Sequence, residues 1–76
     1  MNNYEEYYRQ LALNISHYRK LRGLTQIQFA EKVGLSRTYI SNIEAPNVHK
    51  SFSIKTLFLI ADALDVELAA LFAFKK

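Results

Sequence analysis

Apolar residues recur near the start of the chain at Tyr4, Tyr8, Leu11, Ile15 and Tyr18. Steps of four and three put them on one face of a helix. That helix runs to about Arg22 and stops at Gly23, a residue that enters left-handed backbone without steric cost. Thr25-Gln26-Ile27-Gln28 fits a capping box, and Phe29, Ala30 and Val33 give the second, short helix its buried face before Gly34 ends it. Ser36 is the cap expected for a third helix with Ile40 and Ile43 as its seam. Pro46 cannot continue that helix and pushes Ala45 out of helical backbone, so a loop is expected over 46–52. Ser53 caps a fourth helix carrying Ile54, Leu57, Ile60, Ala61 and Leu64. A tight turn at Asp65-Val66 leads to a fifth helix expected over 67–74, with Leu68, Leu71 and Phe72.

The pattern predicts an all-α domain of five helices spanning 1–76, and the composition agrees. Half of the 76 residues are hydrophobic, too many for a disordered chain, and two glycines and one proline leave few turn-formers for β structure. A core of this size rarely contributes more than about 3–5 kcal/mol without a metal, disulfides or a second subunit. Cysteine is absent, which excludes disulfides and thiolate metal sites, and His17 and His49 lie far apart with no ligand at zinc spacing. No serine stands in an arrangement with histidine and acid that would make a nucleophile, so an enzyme is not expected. The most apolar stretch, Leu57 to Phe74, is interrupted by Asp62, Asp65 and Glu67, and the glutamates at 5 and 6 stand where a signal peptide would be basic. A cytoplasmic protein is expected.

The net charge of +3 is unevenly spread. Residues 9–58 hold Arg9, Arg19, Lys20, Arg22, Lys32, Arg37, Lys50 and Lys55 against only Glu31 and Glu44, while the ends lean acidic. A basic middle suits a phosphate backbone. The second and third helices are joined by only Gly34 and Leu35, so they must cross steeply, with Ala30 as the small residue at the crossing. That is the arrangement of a helix-turn-helix, whose second member enters the major groove with its N-terminal residues at base edges.

Gly23-Leu24-Thr25-Gln26, then Phe29 to Ser36, then Tyr39-Ile40-Ser41-Asn42-Ile43-Glu44 resemble the Cro/lambda-repressor-type helix-turn-helix family, also called the XRE family. The likeness continues in Ile15, Arg19-Lys20, Leu57, Ile60 to Leu64 and Leu71-Phe72, covering about residues 11–72, with 1–10 as a helical extension. The resemblance implies a compact five-helix DNA-binding domain that usually dimerises on palindromic operator DNA and represses or activates transcription. It places Gln26 on a DNA phosphate and the recognition helix at about 36–45. Arg37 and Thr38 would reach base edges, with Ser41 and Asn42 one turn on and Ser36 and Tyr39 beside them. The chemistry suits those roles: arginine bonds guanine O6/N7, asparagine adenine N6/N7, and a threonine methyl meets thymine. It further implies a structural pair between Arg19 and Glu44.

The chain departs from the family pattern after Glu44. Ala45-Pro46-Asn47-Val48-His49-Lys50 replaces the usual glycine and basic residues, and the loop is longer, with Asn47 and Lys50 as its candidate DNA contacts. Asp65 stands where glycine is common. The surplus of apolar residues late in the chain points to a second copy, through Leu64, Leu68, Leu71, Phe72 and Phe74. Tyr4, Tyr7 and Tyr8 either extend the core or cover that partner. No cofactor, metal, small-molecule ligand or membrane is expected. Arg37-Thr38-Tyr39-Ile40-Ser41 is similar to the third helix of restriction–modification controllers, one candidate role beside antitoxin and mobile-element or phage repressor. The alternative class is a protein-interaction module that docks through the apolar C-terminal face.

Overall fold

The computed structural model describes residues 4–45 and 53–74. Five helices follow one another: α1 (Tyr4–Leu21), α2 (Gln26–Val33), α3 (Arg37–Glu44), α4 (Ile54–Leu64) and α5 (Leu68–Leu71). Among the described residues there is no strand, and no helix is long and apolar enough to cross a membrane.

Each helix end has an identifiable cause. Gly23 and Gly34 stand in left-handed backbone, at φ 73° and 85°, where a side chain would be strained. Leu24 N–H reaches back to the Arg19 carbonyl at 3.1 Å, and Leu35 N–H to Ala30 at 2.9 Å, which closes the last turns of α1 and α2. Asp65 takes the same left-handed conformation, φ 57°, after α4, with Val66 N–H on the Ala61 carbonyl at 3.0 Å. Arg22 completes that end: its Nε donates to the Leu64 carbonyl at 2.7 Å and its Nη2 to Asp65 at 3.1 Å. A cation over a helix C-terminus also offsets the negative end of the helix dipole.

The core is drawn from all five helices. Ile15, Phe29, Ile40, Ile60, Leu64 and Leu71 are fully buried, and Leu11, Ala30, Ile43, Leu57 and Ala61 surround them. Phe29 alone would cost about 3–5 kcal/mol to truncate. α2 packs most extensively on α3.

Two expectations are corrected. Leu64 and Leu71 were expected on a subunit face, but both are fully enclosed by their own chain and have no surface to share. α5 is a single turn, 68–71, rather than 67–74; its N-cap residue Glu67 makes no side-chain cap bond. Asn14 holds the end of this turn instead, donating from Nδ2 to the Leu71 carbonyl at 2.9 Å and to the Ala73 carbonyl at 3.4 Å. The tyrosine stripe on α1 enters the core only from Leu11 onward, since Tyr4 and Tyr7 are more than half exposed.

Candidate nucleic-acid interface

α2 starts with the expected reciprocal cap. Thr25 Oγ1 accepts from Gln28 N–H at 3.1 Å, and Gln28 Oε1 accepts from Thr25 N–H at 2.8 Å. Ser36 caps α3 by accepting from Tyr39 N–H at 3.0 Å. The two helices are thus started by side-chain caps and joined through the left-handed Gly34.

α3 divides sharply into two faces. Ile40, Ile43 and Glu44 are buried, while Ser36, Arg37 and Thr38 are exposed and Ser41 and Asn42 half-buried. Arg37, Thr38, Ser41 and Asn42 fall at helical spacings on the outward side. Among the described residues no hydrogen bond or ion pair restrains the Arg37 guanidinium. Tyr39 leans the other way and packs partly on the core, so its role is first a structural one. Asn47 and Lys50 lie outside the described residues.

Behind this face lies a buried ionic network. Arg19 Nε donates to Glu44 Oε2 at 2.7 Å, and its Nη1 donates to the Leu24 carbonyl at 2.7 Å. The other carboxylate oxygen, Oε1, accepts from Gln26 Nε2 at 3.1 Å. Arg19 and Glu44 are each about nine-tenths enclosed, and among the described residues no buried side-chain polar atom lacks a partner. The Arg19–Glu44 pair implied by the resemblance is present. Its extension to Gln26 was not legible, since residues 18 and 25 positions apart carry no spacing signal. Neither was the capping of α4 by Arg22.

These contacts reduce the basic middle to fewer available charges. Arg19 is neutralised by Glu44, Arg22 is committed to α4, and Arg9 pairs with Glu6 at 3.3 Å on the surface. Lys20, Lys32, Arg37 and Lys55 remain exposed among the described residues.

A second feature sits elsewhere on the surface. Tyr4, Tyr7, Tyr8, Leu11, Phe72 and Phe74 line an open apolar groove of about 600 Å³. Tyr7 stacks on Phe74 with ring centroids 5.8 Å apart, joining the start of α1 to the chain after α5.

Two crossed short helices with a tight connection, inside a five-helix domain, define a helix-turn-helix protein of the Cro/lambda-repressor type. The chain belongs to that family: the helix-turn-helix family profile matches residues 15–71. It is 44% identical over 57 residues to the immunity repressor protein of Bacillus phage phi105, covering 75% of this chain and 38% of the repressor. It is 38% identical over 61 residues to the control protein C.SmaI of Serratia marcescens, covering 80% of this chain and 70% of that protein. Among solved structures, the master regulator for biofilm formation SinR in complex with DNA superposes with a TM-score of 0.74 at 34% identity, covering 80% of this chain and 95% of that one. The chain therefore spans well under half of the phage repressor but most of the control protein.

Proposed function

We propose that the protein is a sequence-specific, double-stranded-DNA-binding transcriptional regulator that acts as a homodimer on a palindromic operator. The observation that carries this reading is the exposed row at the start of α3, with an unrestrained Arg37 on a helix whose opposite face is buried against α2. Arg37 and Thr38 read base edges, Ser41 and Asn42 extend the reading by one turn, and Ser36 and Gln26 meet the backbone. Asn47 and Lys50, outside the described residues, are proposed as further phosphate contacts on the strength of the family resemblance alone. The likeness to a regulator solved with DNA supports DNA binding, and the repressor and control-protein relatives support a regulatory role without catalysis.

A single arginine on the reading helix binds weakly alone, which favours two copies per site. Leu68, Phe72 and Phe74, with the α1 tyrosines beside them, are the residues left to form that subunit face once Leu64 and Leu71 are assigned to the core.

Affinity for duplex DNA measured against salt tests the reading. Because released counterions drive phosphate binding, a logarithmic plot should fall linearly with salt. Arg37→Ala should relax the choice at one base pair, whereas Gln26→Ala weakens all sequences alike. A flat salt plot contradicts DNA binding and favours the alternative, a protein-docking module that uses the aromatic groove.

A further inference from the structure

The carboxylate of Glu44, the last residue of the reading helix, contacts the first residue of α2. Its two oxygens are divided between Arg19 Nε at 2.7 Å and Gln26 Nε2 at 3.1 Å. Arg19 in turn holds the Leu24 carbonyl, one residue before the Thr25 cap of α2. A closed loop of contacts thus runs from α1 through the turn to the start of α2, the end of α3 and back to α1.

We infer that Glu44 is a positioning residue for DNA binding: it sets the orientation of the Gln26 amide and thereby aims that amide at a backbone phosphate. The inference rests on the DNA-binding reading above. A carboxylate can only accept, so the amide nitrogen must face Glu44 and not its own oxygen. One N–H is used inward. The second has no partner among the described residues, and Gln26 is only half-buried at the start of α2, so that N–H is available to donate to a phosphate oxygen. If the amide flipped, it would turn its carbonyl oxygen toward that anion. Glu44 therefore selects the donor over the acceptor, and Arg19 holds the Glu44 carboxylate in the orientation that this selection requires. Glutamine at position 44 could donate as well as accept, so it would no longer distinguish the two orientations.

A thermodynamic cycle on operator DNA tests the assignment, with each variant's melt checked first. Gln26→Ala and Glu44→Gln should each weaken binding about tenfold, the contribution of roughly one charge-assisted hydrogen bond. Added to Gln26→Ala, Glu44→Gln should cost no more than about twofold, because its effect passes through an amide that is gone. Replacing single phosphates by neutral methylphosphonates should identify, among the positions to which the wild type is sensitive, one per half-site that falls silent in both Gln26→Ala and Glu44→Gln. Should Glu44→Gln alone melt, the same cycle is run with Arg19→Gln/Glu44→Gln, which leaves no unpaired buried charge. Full additivity, or an affinity loss with every phosphate still sensitive, overturns the positioning role. A wild type with no sensitive phosphate would instead contradict the DNA-binding reading itself.

Discussion

The proposed reading face and the aromatic groove differ in the residues they expose. At α2 and α3 the exposed side chains are polar apart from Ile27, and behind them stand side-chain caps, a left-handed glycine and a buried ion pair. At the groove the exposed side chains are large rings, and the element beneath them, α5, is one turn without a side-chain cap. Directional hydrogen bonding needs orientation held to fractions of an ångström, which rigid neighbours provide. Apolar association depends mainly on area, which rings supply without such precision. The comparison teaches that this small chain places its rigidity where geometry carries information.

The sharpest way to break that contrast is at two adjacent residues, Leu71 and Phe72. Leu71→Asp buries a charge in the core and should unfold the domain, a loss above about 4 kcal/mol visible as an absent thermal transition. Phe72→Asp, on an exposed ring, should leave the melt nearly intact and shift the proposed dimer to a monomer in sedimentation. If the two behave alike, the division between core and subunit face is wrong. Next in size is Glu44→Ala, which strands the Arg19 guanidinium and should cost about 3–5 kcal/mol in denaturant unfolding. Arg37→Ala should change stability by less than about 0.5 kcal/mol while costing about 1–3 kcal/mol of binding on the matched site. A stability loss there would show that Arg37 is not the unrestrained side chain described. The smallest effect has the opposite sign. Asp65 occupies left-handed backbone and places a negative charge at the end of α4, so Asp65→Gly should raise stability by about 0.5–1 kcal/mol, read as a higher Tm.

The helix starts were legible because each rests on a local signal: Thr25 with Gln28, Ser36 and Ser53 all cap as their spacing implies. The ends at Gly23 and Gly34 were legible for the same reason. Arg19 with Glu44 was reached through family resemblance, because a contact between helices leaves no periodic trace. Gln26 on Glu44 and Arg22 on α4 were not legible at all, being decided by how three helices meet. Late in the chain, periodicity ranked Leu64, Leu68, Leu71 and Phe72 alike. Only packing separates the enclosed Leu64 and Leu71 from the exposed Phe72. The expected length of α5 failed because an apolar run extends past the point where backbone bonding stops.

The proposed function requires α3 to read DNA as one half of a twofold pair. Selection of bound duplexes from a random pool, using the full chain, tests it most directly. The account predicts an inverted repeat with half-site centres about 34 Å apart, one helical turn, and with one strongly specified base pair in each half that loses its preference in Arg37→Ala. Recovery of no enriched sequence, or of a motif indifferent to Arg37→Ala, would contradict it.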